Sequence, residues 1–358
     1  MSTWSDRRIL DLFGIDLPIV LAPMAGPGTA ELAVAVSQAG GLGSLPCAQL
    51  SVEQTRAALE SIRRGTARPI NLNFFCHKPP PADPVRESAW RAQLAPYYAE
   101  FGLDAATPLP AASRKPFDSD FCDVVEEFKP EVVSFHFGLP EAGLLRRVKA
   151  SGAKVISSAT TVAEARWLET QGCDAIIAMG LEAGGHRGHF LSGDMSRQVG
   201  TFALVPQVVD AVKVPVIAAG AIGDARGIVA ALALGAAAVQ IGTAYLFCPE
   251  AKVPPLHLQA LRNAADDDTA ITNVFTGGPA RGIVNRLMRE VGPMSTAAPP
   301  FPVAAAAVAP LRAKSEPAGS GDFINLWSGQ AAALGRELPA GELTRTLAAQ
   351  ALARLGRG

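Results

Sequence analysis

Hydrophobic residues in this chain gather into short, nearly unbroken runs, each stopped by glycine, proline or polar residues. Eight such runs stand out: PIVLAPMAG from Pro18, GGLGSLP from Gly40, PINLNFF from Pro69, VVSFHFG from Val132, AKVISSAT from Ala153, DAIIAMG from Asp174, VPVIAAG from Val214 and AAAVQIGT from Ala236. Rich in Val and Ile and without polar alternation, they read as strands covered on both faces. Between several of them the apolar spacing becomes helical. TAELAVAVSQAG has Thr29 as an N-cap and Gly40 as a stop. SVEQTRAALESIRRG pairs Ser51 with Gln54, and TVAEARWLETQG pairs Thr161 with Glu164, both at capping-box spacing. DARGIVAALALG follows the seventh run. Repeated strand–helix units imply parallel strands joined by right-handed crossovers. Eight units predict an α/β fold of the (β/α)₈ TIM-barrel type, with an open doubly wound sheet as the alternative.

Two regions break the alternation. Residues 78–120 are proline-rich, contain Trp90, Tyr97 and Tyr98, and read as an elaborated connection after the third strand. From Cys248 onward the strand signal is absent. RGIVNRLMREVG reads as helix, a Pro/Ala-rich run spans Thr296 to Pro317, and a last helix is expected near Ala340 to Leu355. The expected organisation is a barrel over 1–247 carrying the 78–120 insertion, and a mostly helical C-terminal lobe over 248–358 that caps the barrel. The Pro/Ala-rich run reads either as part of that lobe or as a loop.

The 358 residues are 49% hydrophobic and 18% charged, with a formal net charge of −1. That balance gives no basic field for nucleic acid or an anionic membrane. The most apolar segment, Gly227 to Phe247, is long enough for a membrane span but is broken by Gly235, Gln240 and Gly242. It reads as a buried helix followed by a buried strand. Five cysteines without a C-x-x-C pair imply free thiols rather than a disulfide framework or zinc site. With no signal peptide expected, the anticipated location is cytoplasmic. A homodimer is compatible with the sequence but is not read from it.

Binding groups of such a barrel lie at the C-terminal ends of the strands. The positions falling there are Pro23 to Gly26, Asn71 and Asn73, His136, the stretch GLEAGGHRGHF from Gly180, Gly220, and Gly242 with Thr243. Small residues after the last two strands suit a phosphate held by backbone N–H groups, so Gly220, Gly223, Gly242 and Thr243 are candidate phosphate contacts. His186, one of five histidines, sits in a glycine-rich rim loop, where an imidazole serves as a base or anion stabiliser. His136 lies inside an apolar strand, and a satisfied core histidine is an equal alternative. Arg187 reads as a loop brace or an anion holder, and solvent exposure is the default for His189. His77 and His257 have no distinguishing context. No histidine spacing indicates a metal, and no G-x-S-x-G elbow is present.

The motifs LAPMAG, GGLGSL, NLNFF, SFHFGLP, GLEAGGHRGHF, the block from Pro215 to Glu250, GGPARGIVNRLMRE and LWSGQAAAL together resemble the nitronate monooxygenase family, formerly 2-nitropropane dioxygenases. Their order is most similar to the class I branch. The resemblance implies noncovalent FMN at the barrel rim and oxidation of alkyl nitronates with O₂ to a carbonyl compound and nitrite. It gives His186 the position of the catalytic histidine and His136 that of a second active-site histidine. It assigns Asn71, Gly184, Gln240, Ile241, Gly242 and Thr243 to FMN, and puts Ala22, Pro23 and Met24 against the flavin ring. The chain departs from the family at Met179, commonly glutamine, and at Ala221, commonly a second glycine of the phosphate loop. FPVAAAAVAPLR, from Phe301 and without tyrosine or histidine, stands where the family has an aromatic-rich substrate segment. The alternatives are NAD(P)H-dependent reduction of a quinone or enoyl thioester on the same fold, and a noncatalytic flavin-binding protein.

Overall fold

The computed structural model of the protein describes residues 4–104, 107–109 and 114–356. Its strands are β1 (Ile19–Leu21), β2 (Gly43–Pro46), β3 (Ile70–Phe75), β4 (Val132–His136), β5 (Lys154–Ala159), β6 (Ala175–Met179), β7 (Gly185–His186), β8 (Val216–Ala219), β9 (Ala238–Ile241), β10 (Thr269–Thr272) and β11 (Ala280–Ile283). The helices are α1 (Arg8–Phe13), α2 (Ala30–Gln38), α3 (Val52–Gly65), α4 (Pro84–Glu100), α5 (Ser119–Phe128), α6 (Ala142–Ala150), α7 (Val162–Thr170), α8 (Thr201–Ala211), α9 (Ala225–Ala233), α10 (Pro255–Asn263), α11 (Arg286–Val291), α12 (Ala305–Ser315) and α13 (Ala340–Arg354).

All eight apolar runs are strands of one parallel sheet, in the order β1-β9-β8-β6-β5-β4-β3-β2. A parallel bridge between Val20 and Leu42 joins the two ends and closes the barrel. The uninterrupted hydrophobicity has its cause here, since β1, β2 and β6 are buried at every position. Ser51 and Gln54 form the reciprocal capping box of α3. Thr161 caps α7 by accepting from the Glu164 N–H, but the Glu164 carboxylate turns elsewhere. It accepts from the Thr160 N–H and hydroxyl and from the N–H groups of Phe190 and Leu191. A residue spaced for a cap thus ties down the loop after β6.

The segment after residue 247 differs from the sequence reading. β10 and β11 are antiparallel strands, and RGIVNRLMREVG begins as strand rather than helix. Both strands have only four residues, and β11 contains Gly282 and Arg281, so they carry little strand pattern. β11 also pairs with β7, the two-residue strand inside the glycine-rich loop. The Pro/Ala-rich run contains the helix α12. Helix α4 of the insertion packs against it. Trp90 Nε1 donates to the Ala304 carbonyl and the Tyr98 hydroxyl to that of Ala307. Trp90, Tyr97 and Tyr98 therefore build a second core with Phe275, Met288 and Phe323. Helix α13 returns to the barrel and packs against α2 and α9.

Gly43 on β2 is where the helix layer comes closest to the barrel wall. A Cβ there would lie 2.0 Å from the Ala33 carbonyl oxygen and 2.6 Å from Ser37 Oγ. Both neighbours belong to α2, and the carbonyl is backbone that cannot swing aside. Gly43→Ala is expected to destabilise the protein by roughly 3 kcal/mol, as overpacking against backbone does. Urea unfolding monitored by circular dichroism checks this; an unchanged midpoint would mean that α2 is free to shift outward.

Candidate active site

A cavity of about 720 Å³ opens at the C-terminal rim of the barrel. Its size is that of a small-molecule or cofactor site. Of the candidate residues, Ala22, Pro23, Met24, His136, Met179, Gly184, His186, Gly220, Ala221, Gln240, Gly242 and Thr243 all line it. Asn71 and Ile241 are not on its wall. Asn71 Nδ2 donates to Ser44 Oγ, while its buried Oδ1 has no partner; Asn73, two residues further along β3, lines the cavity instead. Ile241 is buried on the side of β9 opposite Gln240, as strand alternation requires.

His186 is held by secondary structure. It pairs with Ala280 through β7 and β11, and the next N–H, of Arg187, donates to the Pro279 carbonyl. His186 Nε2 lies 2.9 Å from Thr276 Oγ1, whose own proton points to the Gly278 carbonyl at 3.4 Å. The threonine therefore accepts, Nε2 carries the hydrogen, and Nδ1 keeps its lone pair. Burial, reinforced by the Arg114 charge and by the closeness of two further titratable rings, His136 and His77, pushes the His186 pKa well below its ordinary value. The ring is a neutral imidazole at pH 7.

His136 is committed differently. Its Nε2 lies 3.1 Å from the His186 carbonyl and must carry the proton, so Nδ1 accepts from Ser158 Oγ at 2.7 Å. Neither nitrogen is left for a substrate, and the ring acts as a brace beneath the His186 backbone. Burial brings its pKa down to about 4, against a hydrogen bond to the His186 carbonyl that opposes the shift.

Arg187 is wholly buried and off the cavity wall. It donates to the Gly180 and Met179 carbonyls and to Gln198 Oε1, so it braces the loop. His189 is half-buried rather than exposed, with an unpartnered Nδ1.

The small-residue end of the cavity is formed after β8 and β9. Gly220 has φ 114° and Ala221 has φ 57°, so alanine does adopt the left-handed conformation here. Thr243 Oγ1 accepts from the Gly329 N–H at 2.9 Å, which leaves the hydroxyl proton available to an anion. Gln240 Oε1 is buried without a partner. A Cβ on Gly184 would lie 2.5 Å from the Gly329 nitrogen, so only glycine lets the returning segment pass.

Several lining residues carried no functional signal in the sequence, namely Arg114, Ser158, Lys252, His257 and Arg312. Trp327 to Gly329 also line the cavity; their only trace was the LWSGQ motif. His77, though not on the wall, stacks edge-on against Phe301 with ring centroids 4.9 Å apart. All five cysteines are free thiols. Among the described residues no cluster of His, Cys, Asp or Glu is arranged to hold a metal, and no helix is long and apolar enough to cross a membrane.

The family model described as nitronate monooxygenase matches residues 6–350. The chain belongs to the nitronate monooxygenase family. Its relatives include proteins named nitronate monooxygenase from Pseudomonas aeruginosa, 43% identical over 95% of this chain and 97% of the relative, and from Paraburkholderia phytofirmans, 42% identical over 95% and 94%. Among solved structures it is similar to a nitroalkane oxidase from Streptomyces ansochromogenes, with TM-score 0.89 and 37% identity over 98% of this chain and 100% of that one. It is also similar to FabK from Thermotoga maritima, with TM-score 0.74 and 30% identity over 98% and 97%. Nitronate monooxygenases are flavin-dependent oxidoreductases, and this chain is an enzyme of that family.

The depressed pKa of His136 makes a signed prediction. Between pH 6.5 and about 4 the unfolded chain takes up a proton that folded His136 refuses. Stability from this residue is thus complete above pH 6.5, falls with pH through that window, and levels off below it, at a slope of up to about 1.4 kcal/mol per pH unit. His136→Gln retains a donor and an acceptor but cannot titrate. Urea unfolding at pH 7 and pH 5 should show the wild type losing about 2 kcal/mol more than the variant, the integral of that slope. Equal losses would place a charged His136 in the folded protein.

Proposed function

We propose that the protein binds FMN noncovalently and oxidises alkyl nitronates with O₂ to a carbonyl compound and nitrite. The observation that carries this reading is the state of His186, a neutral imidazole on the cavity wall with Nε2–H spent on Thr276 and a lone pair at Nδ1. Gly220, Ala221, Gly242 and the unspent proton of Thr243 suit the FMN phosphate, and unpartnered Gln240 Oε1 suits a polar edge of the flavin. Flavin, when bound, supplies the electron acceptor through which the substrate's electrons reach O₂.

The chain's own part is to orient the substrate and move one proton. From a neutral nitroalkane, His186 Nδ1 takes the proton of the carbon bearing the nitro group, while Thr276 and His136 fix the ring and its backbone. A preformed nitronate has already lost that proton. Phe75 and Trp327 keep this end of the cavity apolar and favour the neutral form of the base. NAD(P)H-dependent reduction of a quinone or enoyl thioester on the same fold remains the second reading.

His186→Asn is expected to lose about 10²–10⁴-fold in kcat/KM on a neutral nitroalkane, the usual worth of a general base, and less on its nitronate. Flavin content should be unchanged, and the cofactor released by heat should run as FMN on chromatography. Equal losses on both forms would remove the base role. Flavin reduction by NADH but by neither nitro compound would favour the second reading.

A further inference from the structure

Resting on the proposed nitronate oxidation, we propose that Arg114 is a further binding residue of the active site, whose guanidinium pairs with the two oxygens of the anionic nitronate group. Arg114 comes from the connection between β3 and β4 and reaches the same cavity wall as His186. Phe301 links the two. The guanidinium carbon sits 5.3 Å from the centre of the Phe301 ring, and the His186 ring centroid is 4.9 Å from it.

This cation is incompletely compensated. Among the described residues no carboxylate pairs with it, and its recorded side-chain partner is the face of Phe301. Burial alone lowers its pKa, to about 10, so it stays charged at neutral pH. Arg114 is half-buried, and a partly desolvated charge gains from an anionic partner. Two buried arginines near the site have side-chain donors engaged: Arg187 by two carbonyls and Gln198, and Arg281 by the Leu181 carbonyl and Thr269. Among the described residues no acceptor engages the Arg114 donors, which suits them to something that enters the cavity. A guanidinium offers two parallel N–H groups, which match a planar group with two oxygens and one negative charge. A nitronate has that shape, and so does a carboxylate on a substrate's far end.

The geometry also divides the labour. His186 Nδ1 serves the carbon, where a proton has to leave. Arg114 serves the oxygens, where the negative charge collects once it has left. The same positive charge helps to keep His186 neutral before substrate arrives.

The test compares Arg114→Gln and Arg114→Lys with wild-type holoenzyme on 1-nitrobutane, its preformed nitronate and the nitronate of 3-nitropropionate. Equilibrium binding of nitrite, followed by perturbation of the flavin spectrum, is measured in parallel. Expected for Arg114→Gln is a 10–100-fold loss in kcat/KM on butyl nitronate, carried mainly by KM, with a matching loss of nitrite affinity. Arg114→Lys should recover part of both. The acid limb of the pH profile on neutral nitrobutane should move to higher pH in Arg114→Gln, because the charge beside His186 is gone; a purely structural arginine would not move it. A loss confined to the 3-nitropropionate compound would assign the guanidinium to a remote carboxylate and overturn the proposal. So would unchanged kinetics and nitrite binding in a variant that keeps its flavin. If the wild type turns over no nitronate yet binds nitrite in an Arg114-dependent way, the anion site stands and the oxidation reading fails. A wild type that does neither overturns both.

Discussion

The site hangs on one buried cation. Strand β6 ends in carbonyls that the barrel's own ladder does not satisfy, and the loop that follows has to pass over them. Arg187 fills that gap from inside the loop, donating to Met179 and Gly180 while Gln198 accepts from its Nε. Gln198 in turn donates to Thr160, which donates to Glu164, and Glu164 accepts from the backbone of Phe190 and Leu191. The loop is thereby fixed at both ends by buried ionisable side chains. Between those anchors it has just enough extended backbone to form β7 and pair with β11. Position and chemistry have the same origin, since the residue so pinned is His186.

Desolvation then decides what the pinned histidine can be. His77, His136 and His186 share one region with Phe75, Phe137 and Phe301, and burial is the largest cause of the lowered pKa of each. A protonated imidazole would be poorly solvated there and would face the Arg114 guanidinium. Three neutral histidines with different hydrogen-bond commitments result. His136 gives both nitrogens to the protein, and His186 keeps one. A pair that looks equivalent in sequence is thus divided into a support and a reactive group by what surrounds each ring.

Much of the fold could be read from the chain because burial on both faces leaves a strong trace. The eight barrel strands are unbroken apolar runs, and the α3 capping box lies where Ser51 and Gln54 put it. The short strands β10 and β11 escaped because their pairing is set by the rim loop rather than by a hydrophobic face. The same limit applies to the site. Glycines and histidines at strand ends announce a rim, and most of those positions face the cavity. Gln240 and Ile241 are separated by strand alternation, whereas Asn71 and Asn73 share a face of β3 and differ in how far along the strand they sit, so which of each pair meets the cavity is set by the fold. Arg114 left no signal, because one arginine in a proline-rich connection resembles any solvated surface residue until the fold sets it on the cavity wall. Met179 and Ala221 were visible as departures, but only the left-handed φ of Ala221 shows that the loop keeps its shape without glycine.

Helix α13 has a consequence for how the chain is made. It packs against α2 and α9, in the helix layer beside β1 and β9, so the helix that completes this part of the barrel's outer shell follows the whole catalytic rim in chain order. Until it emerges from the ribosome, α2 and α9 lack the cover that α13 gives them, while everything that forms the catalytic rim is already present. Residues 248–339 are in effect looped out between the eighth barrel strand and its helix, and docking of α13 fastens both ends of that loop to one body. A polypeptide cut short before Ala340 would carry a complete set of site residues on a shell with a missing stave.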